Sequence, residues 1–335
     1  MPAERAGPDI GVLLVNLGSP DAPTPTAVRR YLRQFLSDRR VVELPPLLWQ
    51  PILRGAILPF RPRRAAANYA RIWDTDAGDS PLRVITAAQA EGLADRLGPR
   101  IRVGYAMRYG RPSMESVVAD MLDHGCERLL VAPLYPQYCA ATTGSVLDEL
   151  FRLLAGRRVL PALRSLPPYY DHPAYIAALA ASVREEVGAL GWEPERILLS
   201  FHGMPARTRA LGDPYFDHCQ RTADLLRAAM GHDGTVMPLA FQSRFGRARW
   251  LEPYTEPVLV GMAQAGIRRV AVLMPGFAAD CIETLEEIAI GARAAFLAAG
   301  GTDFAALPCL NAGKTGLDML QGVIEPQLAG WQAAD

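Results

Sequence analysis

Of the five histidines in the chain, His202 stands apart because it follows directly on a buried-type apolar run, Leu198-Leu199-Ser200-Phe201, and precedes Gly203. Such a run reads as a strand breaking into a loop, so the ring sits at the strand's carboxyl end. In an α/β domain that is the ligand end of the sheet, and imidazole serves there as a base or metal ligand near neutral pH. A satisfied core histidine is the competing reading. His172 and His218 lie beside Pro or Asp, and His124 and His232 precede turn-like residues, so all four read as surface groups. A second group lies in Pro275-Gly276-Phe277-Ala278-Ala279-Asp280-Cys281-Ile282-Glu283-Thr284-Leu285-Glu286-Glu287. Pro-Gly ends a strand and a helix follows, on which Asp280, Glu283 and Glu287 fall at i, i+3 and i+7 along one face. Acids in a first turn commonly complement the helix dipole, but Glu287 is beyond its reach. Like charges so spaced repel unless they are solvated or hold a cation, and carboxylates suit a hard or borderline divalent ion held in transit. The aromatics Phe201, Tyr105, Tyr109, Phe241, Phe277 and Trp250 accompany these groups and suit a large, flat, apolar ligand.

The elements that must position these residues occur twice. Leu13-Leu14-Val15-Asn16-Leu17-Gly18-Ser19-Pro20 corresponds to Leu198-Leu199-Ser200-Phe201-His202-Gly203-Met204-Pro205. Tyr105–Gly110 corresponds to Leu239–Gly246, and Gly125–Val131 to Gly266–Val272, in the same order. Helical patterns lie between them: Ala87–Leu97, Ser113–Asp123 with a Ser-based cap, Tyr175–Leu190 and Cys219–Met230. Strands alternating with helices predict two similar doubly wound, Rossmann-like α/β domains with parallel sheets, over residues 8–165 and 166–308, and a C-terminal helix at 309–330 packing back on the first. Ligands of such sheets bind beyond the strands' carboxyl ends, which gathers Leu17, Arg108, Tyr135, His202, Gln242 and Phe277 around one cleft. The halves differ in roughly fifty extra residues between the first two strands of the first half. These include Leu44–Phe60, an apolar run followed by Arg61, Arg63 and Arg64, within an insertion at about 40–65. Its prolines argue against a long helix. Apolar residues flanked by arginines suggest a lip at a pocket mouth or a membrane surface, against an arm packed on the protein itself.

Composition excludes several classes. Formal net charge is zero, so a nucleic-acid partner has no basic excess to hold it. Cys126, Cys139, Cys219, Cys281 and Cys309 are scattered, odd in number and never spaced C-x-x-C, which gives neither a disulfide framework nor a zinc or iron–sulfur site. A cytoplasmic setting, with peripheral contact at the inner membrane face through the lip, is the expectation. The N-terminus MPAERAGPDI lacks an apolar signal region. Neither a dinucleotide-binding glycine fingerprint nor a P-loop is present.

Several blocks together resemble one family. Ser200-Phe201-His202-Gly203-Met204-Pro205 is similar to the SFHG-x-P segment of ferrochelatases, and runs on to Arg209–Tyr215. Phe241–Gly246 with Trp250–Thr255 resembles their QSR-x-G…WL-x-P-x-T block, and Pro275–Glu287 their PGF-x-x-D-x-x-ETLEE block. Asn16–Pro20, Gly104–Tyr109, Tyr135–Tyr138 and Thr142–Ser145 add to it, so the likeness covers about Gly11 to Gly322. It implies a two-domain chelatase fold that grips porphyrin between domains and inserts Fe²⁺ into protoporphyrin IX, releasing two protons. By residue match it implies that His202 and Glu283 are catalytic, with His202, Glu283, Asp280 and Glu287 meeting metal, the acids on a π-type helix. Arg71, Arg108, Tyr109, Leu17, Phe277 and Trp250 are implied to meet the porphyrin, and Leu44–Phe60 the membrane. Fe²⁺ is then substrate, with no resident cofactor. No [2Fe–2S] cluster is expected, because Cys309 stands alone near the C-terminus and Ala140 occupies the expected upstream position. Cys281 stands where some relatives carry His. Leu17, where some relatives carry Tyr, favours protoporphyrin IX over coproporphyrin III. A cobalt chelatase acting on sirohydrochlorin, or a non-catalytic tetrapyrrole or metal carrier, are the competing readings.

Overall fold

In the computed structural model of the chain, residues 8–246 and 248–331 are described, so the leader reading of residues 1–7 lies outside them. The described residues divide into two units, 8–134 with 140–167 and 320–331, and 135–139 with 168–319.

The first unit is built on a four-stranded parallel sheet of β1 (Ile10–Asn16), β2 (Ile101–Met107), β3 (Arg128–Pro133) and β4 (Ala162–Ser165), ordered β2-β1-β3-β4. Every residue of β1 is buried, as its unbroken apolar run requires of a central strand covered on both faces. Its helices are α1 (Pro25–Leu36), α2 (Pro46–Ile52), α3 (Leu58–Ile72), α4 (Pro81–Leu97), α5 (Met114–Asp123) and α6 (Ser145–Ala155). Thr24 caps α1 by accepting the Ala27 amide, with Pro25 in the first turn. The same device, Ser80-Pro81, starts α4 well before the Ala-rich stretch that marked it in sequence. In α5 the Ser113 hydroxyl accepts the Ser116 amide, so the cap needs no Glu at the third position.

The extra residues of this unit correct an expectation. Prolines were to prevent a long helix, yet α2, a π-helical turn at Leu53–Ile57, and α3 follow one another almost without break. Pro46 and Pro59 sit in first turns, where no amide is needed, and the π turn before Pro59 opens the i→i−4 ladder. Pro51 and Pro62 do lie inside helices. The offset comes from packing: Leu53 and Leu58 are buried with Leu36 among Leu32, Phe35, Trp49 and Ile57, and Trp49 Nε1 donates to the Leu36 carbonyl at 2.6 Å. The opposite side exposes Leu47 (91%), Leu48 (64%) and Phe60 (75%).

The second unit repeats the sheet with β5 (Arg196–His202), β6 (Leu239–Gln242), β7 (Arg269–Leu273) and β8 (Asp303–Ala306), ordered β6-β5-β7-β8 and parallel throughout. Helices α7 (Pro173–Ala189), α8 (Ala206–Ala210), α9 (Tyr215–Met230), α10 (Thr255–Gln264), α11 (Arg293–Ala298) and the start of α12 (Lys314–Ile324) accompany it. Between β7 and α11 the chain winds as a π-helix over Glu283–Ala292. Ile288 and Ala292 of that helix are buried with Leu259 of α10, Val270 and Val272 of β7, and Phe296 of α11, which fixes its rotation. All five cysteines are buried and none is in a disulfide.

Candidate active site

In the second unit, β5 ends at His202 in register with Gln242, the end of β6. Tyr215 of α9 donates its hydroxyl to the His202 carbonyl at 2.9 Å, which braces the strand end. The loop beyond turns at Gly203 because nothing larger fits: a Cβ there would lie 2.6 Å from the Gln242 carbonyl oxygen and 3.2 Å from the Trp250 ring. His202 Nδ1 lies 2.6 Å from the Gly203 carbonyl oxygen. A carbonyl only accepts, so in the neutral ring Nδ1 carries the proton and Nε2 is the basic nitrogen. Phe277 is its ring neighbour, with centroids 6.4 Å apart.

Beside the histidine runs a polar relay that holds the π-helix. Ser200 donates to Gln242 Oε1 at 2.8 Å and lies 2.7 Å from the Thr255 hydroxyl. That orients Gln242 so that Nε2 donates to the Glu283 carbonyl at 2.8 Å. Ser243, with a left-handed φ of 64°, turns both amide and hydroxyl onto the Glu287 carboxylate at 2.6 and 2.5 Å. Burial pushes the Glu287 carboxyl above its ordinary value; the Ser243 hydrogen bonds and the charge of His202 pull it down, while Glu283 pushes it up. Glu287 therefore interacts with both His202 and Glu283. The wider turn of a π-helix brings residues four apart nearly over one another, so Glu283 and Glu287 share a face more closely than α-helical winding gives.

Asp280 corrects the expected acidic line. It precedes the helix and is 6% exposed. Its carboxylate accepts from Thr284 Oγ1 (2.8 Å), Asn311 Nδ2 (2.7 Å) and the Cys309 amide (3.3 Å), and its own amide donates to Asn311 Oδ1 at 2.9 Å. A carboxylate so engaged ties the loop after β7 to the segment after β8. Among the described residues no three His, Cys, Asp or Glu side chains group so as to hold a metal. His218 also differs from its surface reading. It stacks on Tyr170 with centroids 3.7 Å apart and accepts the Tyr138 amide at Nδ1, and burial lowers its pKa.

In the first unit, β1 and β2 end side by side, Asn16 opposite Met107. The Asn16 carbonyl accepts the Arg108 amide at 2.8 Å and the Leu17 carbonyl accepts the Tyr109 amide at 2.9 Å, so Leu17, Arg108 and Tyr109 come together. Gly18 has φ 108°, and a Cβ there would collide with the Tyr109 carbonyl. Tyr109, expected at the porphyrin, is 1% exposed; its hydroxyl donates to Asp38 at 2.8 Å and lies 3.0 Å from Ser145 Oγ. Its hydroxyl thereby braces Asp38 against Ser145. Arg108 joins the same network. Arg71 stands exposed in the last turn of α3. Asp38, Ser145, Ser243 and Asn311 were not singled out in sequence. Only Ser145 and Ser243 fell inside a recognised block, and nothing distinguishes Asp38 from any surface acid near a helix end.

Comparison with known proteins bears on what this geometry serves. The Ferrochelatase family model matches residues 9–328. The ferrochelatase of Azoarcus sp. is 52% identical over 326 residues, covering 97% of this chain and 89% of that protein. That of Bradyrhizobium sp. is 49% identical, covering 96% and 92%. Among solved structures, SirB from Bacillus subtilis with Fe³⁺ shares the fold with a TM-score of 0.59 at 12% identity, covering 96% of this chain and 97% of that one. CbiX, described as the terminal enzyme for siroheme biosynthesis in denitrifying bacteria, gives 0.54 at 18% identity, covering 95% and 100%. With nearly the whole sequence matched at about half identity, and the histidine, the relay and the π-helix at the strand ends, the chain belongs to the ferrochelatase family.

Proposed function

We propose that this protein is a metal chelatase that inserts Fe²⁺ into protoporphyrin IX, forming protoheme and releasing two protons. The observation that carries the reading is the state of His202: Nδ1 is committed to the Gly203 carbonyl, which leaves Nε2 as a base, and Glu287 lies within its electrostatic reach and that of Glu283. Free-base porphyrin carries two pyrrole N–H protons, and its nitrogen lone pairs lie in the plane of the ring. Both protons must leave as the metal enters, so the reaction needs a neutral base near pH 7 and an acid–base partner to take the proton onward. His202 is the base. Glu287 stabilises the imidazolium, and Glu283 with Glu287 passes protons away or meets the incoming metal. Phe277 and Trp250 offer apolar surface for a flat macrocycle, and bending that ring toward the metal draws on its binding energy. Leu17 and Arg108 belong to the same reading as porphyrin-facing groups.

The exposed residues Leu47, Leu48, Ile52 and Phe60 belong to it as a membrane-facing patch, which would make the protein peripheral at the cytoplasmic face. No helix among the described residues is long and apolar enough to cross a membrane. The deciding experiment is anaerobic incubation with Fe²⁺ and protoporphyrin IX, in parallel with coproporphyrin III and sirohydrochlorin. Metal-dependent loss of porphyrin fluorescence with protoheme absorption, abolished in His202→Ala, is expected. Binding of porphyrin with no conversion of any of the three would make the protein a carrier.

A further inference from the structure

One polar cluster of the first unit centres on a residue that the proposed chemistry does not use. Asp38 follows the end of α1. Its Oδ2 accepts from Arg108 Nη2 (2.6 Å), the Tyr109 hydroxyl (2.8 Å) and the Ser145 hydroxyl (2.6 Å), and its Oδ1 accepts the Arg40 amide at 2.7 Å. Arg108 in turn donates Nε to the Ser145 carbonyl (3.0 Å) and hydroxyl (2.8 Å). Arg40 spans to Asp148 of α6 at 2.7 and 3.0 Å. One carboxylate thus joins the end of α1, the base of the inserted lip, the loop after β2 and the start of α6.

The cluster is withdrawn from water: the Asp38 and Arg108 side chains are 9% and 13% exposed. A loop brace alone would be served by neutral hydrogen bonds, which do not carry the desolvation cost of an ion pair. The pair accomplishes something a neutral brace does not. A guanidinium is a rigid planar fork, and fixing its Nε–Nη2 edge fixes the direction of Nη1. Here Nε and Nη2 are both committed, while Nη1 has no partner among the described residues. The Arg108 amide is itself pinned to the carbonyl of Asn16, beside Leu17. The guanidinium also lies over the Tyr109 ring, 4.6 Å from its centroid, which fixes its plane, and Nη1 is the edge left to donate to an oxyanion.

We propose that Asp38 is a positioning residue for carboxylate recognition: by holding the inner edge of Arg108 it presents Nη1 to one carboxylate of the porphyrin. The proposal rests on the porphyrin reading given above. It separates three residues by task, since Arg108 touches the ligand, Asp38 aims Arg108, and Tyr109 and Ser145 keep Asp38 in place.

The test compares free-base protoporphyrin IX, a dicarboxylic acid, with its dimethyl ester, which keeps the ring and lacks both negative charges. Binding is read by fluorescence titration for wild type, Asp38→Asn and Ser145→Ala, with circular dichroism and thermal melting to verify folding. Asp38→Asn is expected to weaken the diacid about tenfold, the scale of one charge-assisted hydrogen bond, and to leave the ester within about twofold. Ser145→Ala should move the same ratio in the same direction by less. If a folded Asp38→Asn protein binds the diacid as wild type does, or loses diacid and ester equally, Asp38 is a brace of the fold and the proposal is wrong. Should Asp38→Asn not fold, the ratio for Ser145→Ala decides. Because the readout is binding of metal-free porphyrin, a wild type that binds but does not metallate would defeat the enzymatic reading while the diacid-to-ester ratio still judges Asp38.

Discussion

Asp280→Ala is the substitution that most sharply separates the acid as a metal ligand from the acid as a structural tie. In the structure its oxygens are acceptors for Thr284 Oγ1 and the Cys309 amide in a buried setting, and for the half-buried Asn311 Nδ2. Thr284 keeps an alternative, since its hydroxyl also reaches the Cys281 carbonyl at 3.1 Å. The Cys309 amide loses its acceptor, and Asn311 Nδ2 loses its bond to the carboxylate. At about 1–3 kcal/mol for each buried group left unsatisfied, the variant should lose about 4 kcal/mol. For a protein of this size that is a fall in Tm of about 6 °C. Asp280→Asn keeps the shape and one acceptor oxygen, and should lose about half as much. Thermal melting by circular dichroism reads the stability, and the KM for Fe²⁺ of the folded fraction reads the metal role. A Tm within about 2 °C of wild type together with a large rise in the Fe²⁺ KM would refute the reasoning and return Asp280 to the metal path.

Two further predictions concern His218 and the lip. His218 accepts a backbone amide, and burial holds its pKa below the ordinary 6.5, against the opposing pull of Asp171, Asp213 and Asp217. The unfolded chain therefore takes up the proton first as pH falls, so His218's contribution is intact above 6.5 and is lost between 6.5 and the lowered folded value. His218→Phe, which preserves the stack on Tyr170, should flatten the fall of Tm across that window; an unchanged slope would mean that other groups set it. For the lip, a Leu47→Ser, Leu48→Ser, Phe60→Ser variant should lose co-sedimentation with anionic vesicles more than about a hundredfold, since each side chain withdrawn from water contributes about 1.5 kcal/mol or more. Trp49→Ser with Leu53→Ser, whose side chains face inward, should lower Tm instead. Vesicle binding that survives the first variant would end the membrane reading.

The parts of this protein that were legible in sequence are those where one physical cause acts alone. A central strand of a parallel sheet is apolar on both faces, so β1 and β5 announce themselves, and each places its last residue, Asn16 or His202, at the ligand end without further information. The repeat of the two halves appears as one strand order used twice. The lip was misread because proline's local cost was weighed without the packing that offsets it: Leu53 and Leu58 are buried by Leu36, which lies in α1 outside the inserted stretch.

The acidic stripe shows the same limit at the site itself. Spacing under an α-helical period put Asp280, Glu283 and Glu287 together, but the period is a property of the fold. Glu283–Ala292 winds as a π-helix while its buried face packs on α10 and β7, with Gln242 and Ser243 from the end of β6 holding Glu283 and Glu287. No residue in ETLEEIAIGA dictates that winding on its own. Gln242, 41 residues earlier at the end of β6, holds the first carbonyl of that winding and is itself oriented by Ser200 on a third element. Asp280 then drops out of the stripe because the helix begins after it and Asn311 claims its oxygens. The pair that remains beside His202 is therefore set by the pairing of β5 with β6, so a change at Ser200 or Ser243 should reach the chemistry through Glu283 and Glu287 rather than through the histidine.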